Sequence, residues 1–269
     1  MKEKKKETRR EFIKKSAGAA ALLSMPTIIP SSVFGANGKV SVAVIGVNGR
    51  GGSHIQGFMN LPNAEVTCLC DCDLNVLGPK AKEFETRYSK KVKQEQDLRN
   101  VFADKSIDAV SIATPNHWHA LATIWACQAG KDVYVEKPGA HNIYEGRKMV
   151  EAANKYDRIV QHGVQLRSSV AVQEAIKHLR DGLIGRVYMA RGLVFRWRGD
   201  VGKKGPGTIP QGLDYDLWTG PAEMKPFSED WVHYNWHWHW NWGNGDVGNQ
   251  GIHETDLCMW GLDVGLPEV

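Results

Sequence analysis

A β-branched run that enters a glycine turn and then a helix constrains this chain more than any other feature. The run covers residues 39–45, and the turn reads Gly46-Val47-Asn48-Gly49-Arg50-Gly51-Gly52 before a predicted helix over residues 53–60. In this order the N–H groups of the turn and the amino end of the helix face an anion, which predicts a phosphate site. Asn48 occupies the middle glycine position of the usual pattern, and asparagine adopts the left-handed backbone more readily than most residues. A plain tight turn is the alternative. The expected cofactor contacts in this turn are Gly46, Asn48, Gly49, Arg50 and Gly51.

A carboxylate follows the second predicted strand, residues 64–70. Asp71 stands where a carboxylate accepts hydrogen bonds from both hydroxyls of an adenosine ribose. Cys72 and Asp73 come next, rather than arginine or lysine, so the sequence offers no cation for a 2′-phosphate and favours NAD over NADP. The competing role for Asp71 is the N-cap of the following helix.

Strands and helices alternate as far as residue 165. Helical patterns over residues 73–91, 96–103, 114–129 and 144–155 are separated by strands at 107–113, 132–135 and 158–162. Short connections between such elements predict an α/β domain with a doubly wound parallel sheet. Residues at the carboxyl ends of its strands are expected to contact the cofactor: Thr114, Pro115, Asn116, His117, Glu136 and Lys137. For Asn116 and His117, packing without a ligand is the alternative.

The motif Glu136-Lys137-Pro138 follows a short apolar strand. In open parallel sheets ligands lie beyond the carboxyl ends of strands, so a lysine held there by the following proline points into the crevice. A solvated lysine in a surface loop is the alternative.

The pattern changes after residue 165, which predicts a nucleotide-binding domain over 37–165 and a second domain over 166–269. A helix over 170–180 and a strand over 186–197 precede stretches rich in glycine, proline and tryptophan. Tryptophans between residues 231 and 242 alternate with histidines and asparagines, a combination that suits the apolar face and hydroxyl rim of a sugar. Packing of these rings in a core is the alternative. His237 and His239 have a spacing seen at metal sites, but the sequence places no third ligand, so no metal site is predicted.

His253 opens an apolar helix at the end of the segment 248–256. The helix dipole lowers the pKa of a histidine at this position, which suits a general base near neutral pH. His253 and Asp256 are spaced to share one helical face. The His-Glu opening is that of a metalloprotease helix, but Leu257 stands where the second histidine must be, so that interpretation fails. A structural histidine at the helix start is the alternative.

The amino terminus has the basic, apolar, small-residue order of an export signal. Thr8-Arg9-Arg10-Glu11-Phe12-Ile13-Lys14 precedes a run over residues 17–29 that is too short to span a membrane. It resembles a twin-arginine signal, the route that carries folded proteins across a bacterial membrane. We therefore predict a signal over residues 1–36 and a periplasmic or cell-envelope location; a disordered basic tail is the alternative. This leader holds eight basic and three acidic residues, so the remainder is close to neutral and nothing argues for nucleic acid.

Residues 39–269 together resemble the Gfo/Idh/MocA oxidoreductase family, which includes glucose-fructose oxidoreductase and inositol dehydrogenase. The resemblance rests on Gly46 to Gly51, Ala113 to His117, Glu136-Lys137-Pro138, residues 213–221, and Gly251-Ile252-His253 through Asp256. It implies a Rossmann domain joined to an α/β domain with an open, mostly antiparallel sheet, and hydride transfer between NAD(P) and a sugar or polyol carbon. It also implies that Lys137 holds the reacting hydroxyl and that His253 removes or returns its proton.

Two features depart from the family pattern. Asn249 occupies a position where many relatives carry aspartate, and an amide orients a substrate but cannot take a proton. Residues 265–269 look like the lead-in to a further strand, so we expect most of the second sheet to be missing. We favour a fragment of a longer gene product; a truncated form of doubtful stability is the alternative. The expected substrate contacts are Arg167, Trp236, His237, Trp238, Asn249, His253 and Asp256.

Three functions are consistent with these features. The first is an exported NAD-dependent sugar or glycoside dehydrogenase. The second is a glycoside-cleaving enzyme that oxidises carbon 3, eliminates the glycosidic bond and reduces the sugar again, so that NAD is recycled. The third is a non-catalytic carbohydrate-binding protein, which the presence of both Lys137 and His253 disfavours. The expected partners are a sugar or glycoside, the twin-arginine translocation machinery and further copies of the chain in a homo-oligomer.

Overall fold

Six parallel strands form the sheet in the part of the chain that the structure describes. The computed structural model describes residues 38–195 and 197–265, so the predicted leader lies outside the described residues. The strands are β1 Val40–Ile45, β2 Ala64–Cys70, β3 Lys93–Glu95, β4 Ala109–Ile112, β5 Asp132–Glu136 and β6 Val160–Gly163. Their order is β3-β2-β1-β4-β5-β6, with every neighbouring pair parallel. The doubly wound α/β prediction is confirmed.

Helices cover both faces of this sheet. In chain order they are α1 Gly51–Met59, α2 Leu74–Tyr88, α3 Leu98–Ala103, α4 Asn116–Gln128 and α5 Ile143–Tyr156. One buried cluster joins the sheet to α1 and α2, and another joins it to α3, α4 and α5. Because both faces are covered, the central strand β1 is buried almost throughout, with Val44 0% exposed.

The strand order reverses between β1 and β4, which places a crevice at their carboxyl ends. Ile45 pairs with Cys70 on one side and with Ile112 on the other. The residues that follow these strands therefore meet at one edge, as do those that follow β5, because Ile112 pairs with Val135. Ligands of open α/β sheets bind at such a switch point.

The residues after Gly163 form helices and irregular segments. The helices are α6 Val170–Arg180, α7 Tyr215–Thr219 and α8 Ile252–Leu262, with short 3₁₀ segments at Gln165–Ser168 and Asn235–Trp238 and a π-helical turn at Val247–Gly251. The predicted strand over 186–197 is wrong: its described residues are irregular and mostly exposed. An isolated strand leaves its backbone groups unpaired, and no strand of the described chain lies beside this one. The described residues do not form the mostly antiparallel sheet, most of which was expected to be missing.

An aromatic cluster attaches the second half of the chain to the first. It contains Leu213, Tyr215, Trp218, Phe227, Trp236 and Trp242, and Cys72 packs against it. The Leu74 N–H donates to the Gly212 carbonyl at 3.0 Å, and the Asp214 N–H donates to the Cys72 carbonyl at 2.9 Å. Trp242 is 2% exposed, so core packing holds for this ring. None of the described helices has the length and apolar character needed to cross a membrane.

Candidate active site

The turn after β1 approaches the end of β4 so closely that only glycine fits. Gly46 has a φ of 84°, and a Cβ built on it would lie 2.7 Å from the carbonyl carbon of Ala113 and 2.8 Å from the amide nitrogen of Thr114. A Cβ on Gly51 would collide with the carbonyl oxygen of Gly46. Close contact of α1 with the turn therefore requires glycine at both positions. Three exposed residues of the turn line the crevice: Asn48, Gly49 and Arg50.

Asp71 follows β2 and turns both carboxylate oxygens toward backbone N–H groups. Oδ2 accepts from Val47 at 2.9 Å and Oδ1 from Asp73 at 3.1 Å. Burial raises the pKa of Asp71, and these two hydrogen bonds oppose the rise. The N-cap of α2 is Asp73, whose Oδ1 accepts from the Asn75 N–H at 2.9 Å. Asp71 therefore has no capping role, and it lines the crevice with lone pairs left for a ribose.

Thr114 carries a buried hydroxyl whose Oγ1 has no hydrogen-bond partner in the described part of the chain. Buried hydroxyls are normally paired, so an orphaned one at the crevice fits a polar group of a bound cofactor. Pro115 and Asn116 line the same region. The Asn116 side chain donates to Asn244 Oδ1 at 2.9 Å.

His117 does not reach the crevice, which corrects its predicted cofactor contact. It is 3% exposed, and its Nε2 lies 3.0 Å from the carbonyl oxygen of Trp218. Burial lowers the pKa of His117 to about 4, so it is a neutral core histidine at physiological pH.

Glu136 ties the glycine turn to β5. Its Oε1 accepts from Arg50 Nε at 2.9 Å and from His54 Nε2 at 3.0 Å, and His54 Nδ1 lies 2.8 Å from Ser111 Oγ. Burial works to raise the pKa of Glu136, but the two hydrogen bonds and the Arg50 charge outweigh it and lower the pKa to about 2. The carboxylate is therefore ionised at neutral pH and holds Arg50 at the edge of the crevice.

Lys137 reaches from the end of β5 to the turn before α8. It is joined to Pro138 by a cis peptide bond. Its Nζ donates to the Asn249 carbonyl oxygen at 2.5 Å and lies 3.3 Å from Asn249 Oδ1. Both acceptors are neutral. Burial lowers the pKa of Lys137, and the Glu136 charge opposes that fall.

His253 is the second residue of α8 and lines the crevice together with Lys137 and Asn249. It is 8% exposed, and its Nδ1 is buried without a partner among the described residues. Burial, and then the positive charge of Lys137, lower the pKa of His253. The imidazole is thus neutral and able to accept a proton near neutral pH.

The rings predicted to hold a sugar lie on the 3₁₀ segment. His237 stacks on Trp236 with ring centroids 3.6 Å apart, and both line the crevice. Trp238 does not line it; its ring centroid lies 5.0 Å from the guanidinium carbon of Arg198. Two of the three predicted rings therefore reach the site.

Arg167 and Asp256 pair with each other outside the crevice, so their predicted substrate contacts are corrected. Arg167 Nε donates to Asp256 Oδ2 at 2.8 Å, and a terminal guanidinium nitrogen donates to Oδ1 at 2.9 Å. The guanidinium also lies over Trp260 at 5.0 Å. These contacts join the 3₁₀ segment Gln165–Ser168 to α8.

Apart from Gly51, the remaining predicted residues share one crevice of about 680 Å³. Asp71 lies at the β2 side, the glycine turn and Thr114 at the switch point, and Lys137, Asn249 and His253 at the β5 side. The ribose acceptor, the steric need for glycine and the orphaned hydroxyl fit a dinucleotide. Asp71 would hold the adenosine ribose, the glycine turn the pyrophosphate, and Thr114 a polar group beyond it.

Several residues of the crevice escaped the sequence analysis. They are Gln96, Arg198, His233, Tyr234 and Gln250. Arg198 donates to Asp246 Oδ1 at 3.0 and 2.8 Å, and His233 Nε2 lies 2.9 Å from Asp73 Oδ2. No local spacing signals these residues, because irregular segments and long-range packing bring most of them to the site.

Comparison with protein families gives two adjoining matches. Residues 40–164 match the Gfo/Idh/MocA model described as an oxidoreductase family with an NAD-binding Rossmann fold. Residues 169–264 match the model for the C-terminal alpha/beta domain of the same oxidoreductase family.

Individual relatives cover less of the chain. It is 30% identical over 166 residues to a glycosyl hydrolase family 109 protein of Saccharopolyspora erythraea, covering 59% of this chain and 36% of that protein. It is 36% identical over 105 residues to levoglucosan dehydrogenase of Pseudarthrobacter phenanthrenivorans, covering 39% and 27%. The matched residues thus span between 26% and 39% of the length of these and other curated relatives.

A solved structure shares the fold over a longer stretch. The WlbA dehydrogenase of Chromobacterium violaceum, in complex with NADH and UDP-GlcNAcA, is 25% identical with a TM-score of 0.63. The match covers 82% of this chain and 55% of that one.

Proposed function

Because the chain belongs to the Gfo/Idh/MocA oxidoreductase family, with an NAD-binding Rossmann domain, we propose that it transfers a hydride between the nicotinamide and a hydroxyl-bearing carbon of a sugar, polyol or glycoside. One observation carries the proposal. Lys137 and His253 line the same end of the crevice, with Lys137 Nζ donating to the Asn249 carbonyl at 2.5 Å. A cation and a neutral base are therefore close together beyond the carboxyl end of β5.

NAD, when bound in the crevice, would supply the hydride acceptor. Loss of a hydride from carbon requires that the hydroxyl proton be taken in the same event, so a base must lie within hydrogen-bond reach of that proton. His253 serves as that base, because its lowered pKa keeps it neutral at pH values where an ordinary histidine begins to protonate. Lys137 donates a hydrogen bond to the substrate oxygen and stabilises the negative charge that develops on it.

Asn249 orients Lys137 and does not transfer a proton. Its carbonyl holds Lys137, and its side-chain oxygen lies 3.3 Å from the same Nζ. An amide adds no charge to the site, so the lysine has no carboxylate as direct partner there. Trp236 and His237 provide a stacked face on which the apolar side of a sugar ring packs.

Glycoside cleavage with NAD restored at the end of each cycle is the second candidate. Relatives of glycosyl hydrolase family 109, 30% and 33% identical over their matched residues, favour it. In that reaction Lys137 and His253 would assist the oxidation of carbon 3 by NAD, loss of the neighbouring carbon-bound proton would expel the aglycone, and addition of water and return of the hydride would restore the sugar and NAD. A chromogenic glycoside separates the candidates: coloured product without net NADH supports cleavage, and NADH formed in proportion to oxidised sugar supports the dehydrogenase.

Substitution of the two central residues tests the proposal. We expect Lys137→Met and His253→Gln each to lower turnover about a hundredfold or more while the Kd for NAD changes little. A panel of sugars and glycosides monitored by nicotinamide absorbance gives the turnover, and calorimetry gives the Kd. The matched control is Lys155→Met, in the last turn of α5, which should behave as the wild type. Near-normal turnover in both variants would contradict the assignment.

Export by the twin-arginine route is proposed from residues 8–29, which lie outside the described residues. Replacing Arg9 and Arg10 by lysine should retain the protein in the cytoplasm, as measured by fractionation of expressing cells. Unchanged distribution of the double variant would contradict the export route.

A further inference from the structure

A carboxylate and a histidine line the ribose end of the crevice, and a second, buried carboxylate contacts the histidine. Asp71 lines the crevice, and Asp73, two residues on, is 4% exposed. Asp73 Oδ2 lies 2.9 Å from Nε2 of His233. The His233 side chain lines the crevice as well and is 30% exposed, so it contacts both the buried carboxylate and the space available to a ligand.

The fold holds His233 at this place. The backbone pairing of Leu74 with Gly212 and of Asp214 with Cys72 docks the second half of the chain on the loop after β2. Gln96 adds a side-chain hydrogen bond to the Cys72 carbonyl at 2.9 Å. The two residues before His233 pack against the aromatic cluster, so the approach of the histidine to Asp73 is part of the packed structure.

The two carboxylate oxygens of Asp73 contact different partners. Oδ1 caps α2 by accepting from the Asn75 N–H at 2.9 Å, and Oδ2 meets His233. Burial is the main influence on the pKa of Asp71, but His233 and Asp73 both alter it through their charge. The three groups are therefore within electrostatic range of one another.

NADP differs from NAD by a phosphate on the adenosine ribose, next to the hydroxyls that Asp71 would bind. Such a phosphate needs a donor or a cation and is repelled by carboxylates. We propose that the Asp73–His233 pair sets the preference for NAD over NADP, because Asp73 occupies the imidazole that would otherwise meet the 2′-phosphate and adds a second negative charge beside Asp71. The inference rests on the cofactor role proposed for Asp71.

The test is the ratio of the Kd for NADP to the Kd for NAD, measured by calorimetry on the full chain. Asp73→Ser removes the charge and the contact with His233, while serine keeps an N-cap acceptor for α2. We expect this ratio to fall about tenfold or more, as for the gain of one charge-assisted hydrogen bond. Adding His233→Ala to Asp73→Ser should restore most of the wild-type ratio. A purely structural role would weaken both nucleotides together and leave the ratio unchanged.

Asp97→Ser is the matched control, because it removes another helix-capping aspartate, that of α3, with no contact to His233. Its ratio should equal that of the wild type. If Asp73→Ser is poorly folded, Asp73→Asn keeps the size and the cap and removes the charge. An unchanged ratio in the folded variant, or a gain that persists in full without His233, would overturn the inference. A wild-type chain that binds neither nucleotide would instead refute the proposed function.

Discussion

Replacing Glu136 by glutamine measures how much the buried carboxylate stabilises the nucleotide-binding domain. Glu136 is 4% exposed, and its pKa is lowered from the ordinary 4.5 to about 2. Glutamine resembles the protonated acid in size and charge, so the variant has lost what ionisation contributes. The difference between the folded and unfolded pKa corresponds to about 3 kcal/mol. We therefore expect Glu136→Gln to lower the free energy of unfolding by about 2–3 kcal/mol at pH 7.

The pH dependence of this effect has a definite sign. A carboxyl group with a lowered pKa stabilises fully above its unfolded value of 4.5, and the contribution is lost as the pH falls toward about 2. The gap between wild type and variant should thus be constant from about pH 7 to about pH 5.5 and narrow below about pH 4.5. Urea unfolding followed by far-UV circular dichroism at several pH values measures it.

The exposed Glu83, which pairs with Lys80 on α2, provides the control. Glu83→Gln should change the free energy of unfolding by no more than about 0.5 kcal/mol at any of these pH values. A gap for Glu136→Gln that is independent of pH, or no larger than that of the control, would refute the reasoning.

Three further results are expected. Gly46→Ala should lower the free energy of unfolding by about 2 kcal/mol or more, because Gly46 has a positive φ and lies against the backbone of Ala113. A Cβ on Gly57 would meet only open space, so Gly57→Ala should raise the free energy of unfolding by up to about 1 kcal/mol. Urea titration measures both. Trp242→Ala should lower the free energy of unfolding by about 3–5 kcal/mol. Trp240 is 89% exposed, so Trp240→Ala should change the same free energy by no more than about 0.5 kcal/mol. Because burial lowers the pKa of His253, the acid limb of kcat/KM should lie below the ordinary histidine value of 6.5, and a limb at or above that value would contradict its role as the base.

Local patterns predicted most of the first half of the fold. Strand β2 and helix α6 have the predicted bounds, because each is a continuous run of one hydrophobic period. The edge strand β3 went unpredicted, since its three polar residues are ordered by pairing with β2 rather than by a pattern of their own. The strand predicted over 186–197 does not form, although its residues favour a strand. A strand also needs a neighbouring strand, which local sequence does not reveal.

The residues of the site differ in the same way: those tied to a local pattern were predicted, and those placed by distant contacts were not. The sequence predicted Gly46, Asp71 and Lys137 because each lies at the end of a parallel strand, and such ends meet at one edge of the sheet. It predicted His253 because this residue begins a recognisable helix. Arg167 satisfies a carboxylate 89 residues away, and no local rule reveals that choice of partner. His233 reaches the ribose end because Trp231 and Val232 before it pack against the aromatic cluster, a long-range contact that no local spacing reveals.

The aromatic cluster also has an optical consequence. Trp218 and Trp236 line the crevice, and the ring centroid of Trp218 lies 5.3 Å from that of Trp242, which lies 4.9 Å from Trp231. Rings this close exchange excitation energy, and reduced nicotinamide absorbs where tryptophan emits. The intrinsic emission of the chain should therefore report the redox state of a bound cofactor without any label. The tryptophan emission of an enzyme that accumulates NADH would stay quenched. In an enzyme that restores NAD in every cycle, the emission would be quenched only transiently.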